Sequence, residues 1–198
     1  MWIKVCGLTT AQAVAAALDM QVDALGFVFA ESPRRVTAQQ ATELARAVRG
    51  RAQRVAVTRH PTQAQLEEIL RVFRPDVLQS DAADLEDLQL PATLELLPVL
   101  RDAAAPPSRL PPRILFEGAV SGSGRTSDWG AARVLARRTA LILAGGLSGD
   151  NVCDAIAAVE PFGVDVSSGV EERPGIKSPA AIEAFVRAVR AAPRADRE

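Results

Sequence analysis

Short runs of β-branched and apolar residues alternate along the chain with longer stretches whose apolar positions recur every three or four residues. The short runs are WIKVC (2–6), DALGFVF (23–29), RVAVT (54–58), DVLQ (76–79), TLELLPVL (93–100), RILFE (113–117), ALILA (140–144) and FGVDVS (162–167). Each has the length and bulk of a buried strand. The stretches TAQAVAAALDM (10–20), TAQQATELARAV (37–48), TQAQLEEILRVF (62–73), DWGAARVLARR (128–138), SGDNVCDAIAAV (148–159) and SPAAIEAFVRAVRAA (178–192) fit the helical period. Several open on Thr, Ser or Asp at the cap position. DAADLEDLQL (81–90) is a weaker helix. Between the fifth and sixth strands, RDAAAPPSRLPP (101–112) carries four prolines in twelve residues, which predicts an irregular connection in place of helix five. Eight βα units predict a single α/β domain, a (β/α)8 TIM barrel over 1–192, followed by a frayed tail at 193–198. A doubly wound open sheet is the rival. The repeat count and the glycine-rich loops after the last three strands favour the barrel.

Charge gives no pull toward nucleic acid or an anionic membrane: Lys and Arg number 23, Asp and Glu 24, and the net charge is −1. No apolar run approaches the roughly 18 residues of a spanning helix. MWIKVCGLTT lacks the pattern of a secretory signal, so a cytoplasmic protein is expected. Two cysteines, Cys6 and Cys153, make no disulfide framework. The single histidine, His60, lies in the polar segment TRHPTQ and reads as a solvated loop residue. With a single His and no metal-ligand spacing, no metal site is expected. Of the 23 basic residues, only Lys4 and Lys177 are lysines.

In a barrel the active site forms at the C-terminal ends of the strands. Alternation along the first strand puts Trp2, Lys4 and Cys6 on the inner face, with Cys6 at the rim and Gly7 at the turn beyond it. An inward Lys4 is expected to lower the thiol from its ordinary pKa of about 8.5; the alternative for Cys6 is a small buried hydrophobe. Along the last strand Gly163, Asp165 and Ser167 face inward, and Phe162, Val164 and Val166 face the helices. Strands one and eight adjoin in a closed barrel, so Asp165 and Lys4 are expected to pair. AGGLSGDNV places Gly145 and Gly146 just before a helix start at Ser148, and SSGVEERPG supplies Ser168 and Gly169. Loops after strands seven and eight commonly hold a phosphate on backbone N–H groups. The loop SGSGRTSDWG (121–130) leads to Asp128, read either as the cap of the next helix or as an acid carried over the mouth by a mobile lid. ESPRRV (31–36) puts Arg34 and Arg35 at the rim opposite the phosphate loops, where one could clamp a carboxylate.

KVCGLT (4–9), GFVF with SPR (26–34), GSGRTSDW (122–129), AGGLSGDNV (144–152) and DVSSGVEERPGIK (165–177) occur in that order. Together they resemble the phosphoribosylanthranilate isomerase family of tryptophan biosynthesis. The resemblance implies a (β/α)8 barrel and an Amadori rearrangement. N-(5-phospho-β-D-ribosyl)anthranilate would become 1-(2-carboxyphenylamino)-1-deoxyribulose 5-phosphate, without metal or cofactor. It implies Cys6 as general base, Asp128 as general acid and Arg34 as the partner of the anthranilate carboxylate. The backbone of Gly145, Gly146, Ser168 and Gly169 would seat the phosphate, with Asp165 and its partner Lys4 near the sugar. The implied partner is a small phosphoribosyl substrate, taken by a monomer or homodimer. The chain departs from the family pattern in four places. The usual His of VQLHG reads Ser80 in VLQSDA, Glu117 stands for an Asp after strand six, Arg35 stands for a Tyr, and VAVTRH replaces a segment ending FVN. One alternative is the related phosphosugar isomerase of histidine synthesis, whose strand-one base is an aspartate where this chain has Cys6. The other is an inactive phosphate-binding barrel, against which the retained Cys6 and Asp128 stand.

Overall fold

Eight parallel strands close on themselves in chain order, each paired with its sequence neighbours and the first with the last. The computed structural model describes residues 1–48, 50–101, 109–119 and 126–193. The elements are β1 (Trp2–Cys6), α1 (Ala11–Asp19), β2 (Ala24–Val28), α2 (Ala38–Leu44) with a 3-10 turn (Ala45–Ala47), β3 (Gln53–Val57), α3 (Gln63–Val72), β4 (Val77–Asp81), α4 (Ala82–Asp87), β5 (Glu95–Arg101), β6 (Arg113–Glu117), α5 (Trp129–Ala136), β7 (Ala140–Leu143), α6 (Val152–Val159), β8 (Gly163–Val166), β9 (Glu171–Arg173), β10 (Ile176–Lys177) and α7 (Pro179–Ala191). The expected barrel is therefore present. Residues 109–112 of the proline-rich connection form no helix; 102–108, the glycine-rich segment 120–125 and the tail 194–198 lie outside the described residues.

The strands alternate between two buried layers. Ala24, Val55, Val77, Leu97, Leu115 and Ile142 fill the barrel interior, while Ile3, Val5, Leu25, Leu78, Val164 and Val166 pack outward against the helices. This two-sided burial is why the strand runs are so apolar. Helix starts follow the cap residues: Thr37 and Thr62 each form a reciprocal capping box with Gln40 and Gln65, and Ser178 precedes Pro179 at the first helical position. No helix among the described residues is long and apolar enough to cross a membrane.

Three details differ from the pattern reading. Helix α6 starts at Val152 and not at Ser148, because Asn151 accepts a bond from Ser148 N–H (2.9 Å) and donates to the Gly146 carbonyl (2.9 Å), holding 148–151 in a turn. Phe162 is not in the helix layer; it is partly exposed beside the Arg113 guanidinium, 5.3 Å from its ring. The segment after β8, which has no strand-like pattern, forms the antiparallel hairpin β9–β10.

Candidate active site

Lys4 and Asp165 meet inside the barrel. β1 and β8 pair in a register that sets the two residues side by side, and Lys4 Nζ donates to Asp165 Oδ1 at 2.9 Å. Lys4 is 0% exposed and Asp165 7%. Burial pulls the Lys4 ammonium down, but the charges and hydrogen bonds of Asp165 and Cys6 outweigh it and hold Lys4 above its ordinary range. Burial pushes the Asp165 carboxyl up, only partly offset by Lys4 and Lys177. Lys4→Met alone leaves a buried carboxylate without its partner and is expected to cost about 3 kcal/mol, while the double change Lys4→Met, Asp165→Leu recovers most of that. Urea denaturation of the two variants measures both.

Cys6 is buried at the rim end of β1. Lys4 does pull the thiol's pKa down, as expected, but the net shift is upward. Burial pushes the thiol above its ordinary range, Asp165 adds to that, and the opposing pull of Lys4 and Lys177 is insufficient. Ser167, first residue past β8, donates from Oγ to the Cys6 carbonyl at 3.1 Å. The thiol therefore stands beside the start of the loop that carries Ser168 and Gly169.

Those two residues run alongside the loop after β7. A bridge joins Ser148 to Gly169, and a Cβ at position 169 would be driven into the Leu147 carbonyl. Glycine is thus required for the two loops to meet. Gly145 and Gly146, both at positive φ, form the turn on the other side of that junction. All four residues read as a phosphate seat converge at one place. Asp128 stands at the N-terminus of α5, exposed, its Oδ1 accepting from Ala131 N–H at 3.0 Å. Its neighbour Ser127 is buried and donates to the Ala144 carbonyl at 2.9 Å, which ties Asp128 to the end of β7. The cap reading of Asp128 is realised, and it lies beside the same loops.

Arg34 is not opposite those loops. Its Nε and Nη2 donate to Glu171 Oε1 and Oε2 at 2.7 and 2.8 Å, and Glu171 follows the loop after β8. The stem of Arg34 crosses Gly7: with φ at +76°, a Cβ there would fall 2.6 Å from Arg34 Cδ. Lys177 is buried behind the pair. Its Nζ donates to Glu171 Oε1 (2.8 Å) and to the Ser167 carbonyl (3.0 Å). The sequence reading gave neither Glu171 nor Lys177 a role, although both lie in DVSSGVEERPGIK. A further signal was that Lys177 is one of only two lysines.

At the opposite rim the departures act together. Val77 fills the barrel interior and Leu78 the helix layer, so alternation turns Gln79 and Asp81 inward and Ser80 outward. Ser80 Oγ donates to Asp84 at 2.9 Å, so the residue at the mouth is Asp81 and not Ser80. Arg101 bridges Asp81 (2.6 Å) and Glu117 (2.8 Å) across three strand ends. Gln79 Oε1 is buried with no hydrogen-bond partner among the described residues. His60 is exposed as expected, with Nδ1 2.7 Å from Asp84 Oδ1.

Comparison with known proteins agrees with this layout. The model of the family described as N-(5'-phosphoribosyl)anthranilate (PRA) isomerase matches residues 3–188. The N-(5'-phosphoribosyl)anthranilate isomerase of Mesorhizobium japonicum is 41% identical over 210 residues, covering 96% of this chain and 95% of the relative. Among solved structures, TrpF from Jonesia denitrificans superposes with a TM-score of 0.79 at 36% identity, covering 97% of this chain and 98% of that one. The phosphoribosyl anthranilate isomerase of Thermus thermophilus gives 0.84 at 25% identity, covering 96% and 99%. With the strand-end thiol, the paired glycine loops and this likeness along nearly its whole length, the chain belongs to the N-(5'-phosphoribosyl)anthranilate isomerase family.

Proposed function

We propose that this protein catalyses the Amadori rearrangement of N-(5-phospho-β-D-ribosyl)anthranilate in tryptophan biosynthesis, with Cys6 as general base and Asp128 as general acid. One observation carries the reading. A strand-end cysteine, a helix-capping aspartate and two glycine loops gather at one rim of the barrel: the Cys6 carbonyl accepts from Ser167 just past β8, and Ser127, next to Asp128, donates to Ala144 just past β7.

The amides around Gly145, Gly146, Ser168 and Gly169 take the phosphate. Arg34 takes the ring carboxylate, and Gln79 offers its unpaired oxygen to a sugar hydroxyl. Binding energy at the two anionic ends holds the sugar between acid and base. Asp128 gives a proton to the ring oxygen as the C1′–O bond breaks, and the anilino nitrogen lone pair forms the C1′=N iminium. Cys6, as thiolate, removes the proton from C2′. The C–H electrons form a C1′=C2′ double bond and neutralise the iminium. Protonation at C1′ and loss of the hydroxyl proton at C2′ leave the ketone. The electrons that reduce C1′ come from C2′ of the same substrate, so the steps balance without a redox cofactor. The Lys4–Asp165 pair stands beneath the sugar and fixes the field in which the thiol ionises. We place the enzyme in the cytoplasm, as a monomer or homodimer.

The raised thiol has a kinetic consequence. The base form of Cys6 becomes more abundant as pH rises, and burial delays that rise beyond the ordinary thiol pKa of about 8.5. On the Cys6 limb, kcat/KM is expected to climb with pH through neutrality and beyond that value. A profile already flat below pH 7 counts against the assignment. The reaction itself is tested by assaying phosphoribosylanthranilate and the imidazole substrate of histidine synthesis side by side. Turnover of the first alone is expected, and turnover of the second alone overturns the reading.

A further inference from the structure

Glu171 touches no reacting atom in the scheme above, yet both its oxygens are bound. Oε1 accepts from Arg34 Nε (2.7 Å), Lys177 Nζ (2.8 Å) and Gly175 N–H (3.3 Å), and Oε2 accepts from Arg34 Nη2 (2.8 Å). We propose that Glu171 is a positioning residue that makes the site selective for a carboxylate-bearing ring by presenting Arg34 in a fixed orientation. The inference rests on the reading of Arg34 as the carboxylate partner.

A guanidinium can make paired hydrogen bonds along more than one edge. Glu171 occupies the side-on edge, Nε with Nη2, so the end-on edge, Nη1 with Nη2, is the one left to receive a second carboxylate in the bidentate manner. Both ends of Arg34 are fixed. Gly7 lets the stem pass, and Glu171 holds the head. Glu171 is held in turn by Lys177, whose side chain is fully buried. The hairpin that carries both residues is pinned at its tip. Thr9 Oγ1 donates to the Gly175 carbonyl at 2.6 Å, and Pro33 packs so closely that a Cβ at Gly175 would fall 2.5 Å from its carbonyl oxygen. Two cations around one carboxylate leave a single net positive charge, enough to attract an anion. Burial pushes the Glu171 carboxyl up, but the hydrogen bonds and charges of Arg34 and Lys177 outweigh it and keep Glu171 ionised.

Removing the Glu171 charge has two opposing effects. It frees the fork, and it removes a negative charge close to the incoming anion. Burial already holds Lys177 below its ordinary range, and without Glu171 it sheds its proton more readily, so the site gains little positive charge. Loss of orientation therefore dominates.

The test compares Glu171→Gln with the wild type using phosphoribosylanthranilate as substrate. Two competitive inhibitors are added, the reduced product analogue and its counterpart lacking the ring carboxylate. The expected result is a roughly tenfold rise in KM and in Ki of the carboxylated inhibitor, with kcat within about threefold and Ki of the carboxylate-free inhibitor unchanged. A scaffold role for the loop would weaken both inhibitors equally, and that outcome overturns the proposal. So does an unchanged or lowered KM, the latter meaning that the pair blocks the ring site. Should Glu171→Gln fail to fold, Glu171→Asp keeps the charge facing Lys177, loses the bidentate reach, and must show the same selective rise. A wild-type protein without turnover would instead sink the proposed function itself.

Discussion

Cys6→Ala lowers kcat by about 10³-fold or more while the protein still folds. The argument is geometric first. Cys6 is the inward residue at the rim end of β1, and its carbonyl is bonded to Ser167 at the root of the loop that carries Ser168 and Gly169. A substrate whose phosphate sits on that loop brings its sugar over the sulfur. No other group on β1 beyond Lys4 can take a proton, and Lys4 is already committed to Asp165. Removing one sulfur from a site walled by Lys4 and Gly26 leaves a small gap, so thermal stability should move little. Single-turnover rates and a melting curve on the same sample check both halves. A kcat within tenfold of wild type removes Cys6 from the mechanism. The raised thiol is compatible with the role because the iminium brings a positive charge to the sulfur when the base is needed.

Asp128→Asn is expected to lower kcat by about 10²–10⁴-fold, again without loss of fold. Asparagine caps a helix as well as aspartate does, so the bond to Ala131 N–H and the start of α5 survive. What is lost is the proton for the ring oxygen. The comparison that separates capping from catalysis is Asp128→Ala, which removes both and should additionally destabilise the protein by about 1 kcal/mol. If Asp128→Asn turns over like wild type while Asp128→Ala is merely less stable, the carboxyl is a cap and nothing more.

Much of this was legible in the residues. Eight apolar runs separated by helical periods led to the closed barrel, because strands buried on both faces must be apolar throughout. The Lys4–Asp165 pair followed from alternation along two strands that closure makes neighbours. The failures have physical causes. Parity decides which residue of VLQSD faces inward, and setting Ser80 against the usual His passed over Asp81, the residue that alternation turns inward. The Cys6 shift was misread because only the nearest charge was counted. Burial, the larger effect, depends on the whole barrel. Glu171 is 137 positions from Arg34, and nothing local in EERPGIK marks it as a partner. The same hairpin carries too few apolar residues to read as strands. It is held by its contacts with Thr9 and Pro33 instead of by its own pattern.

The central claim is that one sugar lies between the Cys6 sulfur and the Asp128 carboxyl while its phosphate rests on the amides of the two glycine loops. A crystal structure of this protein with the reduced product analogue tests it most directly. The account predicts the phosphate on the backbone of Gly145, Gly146, Ser168 and Gly169, with Sγ of Cys6 against C2′ and the Asp128 carboxyl on the other side of the sugar. An analogue seated away from those loops, or bound there with either group turned from the sugar, contradicts it.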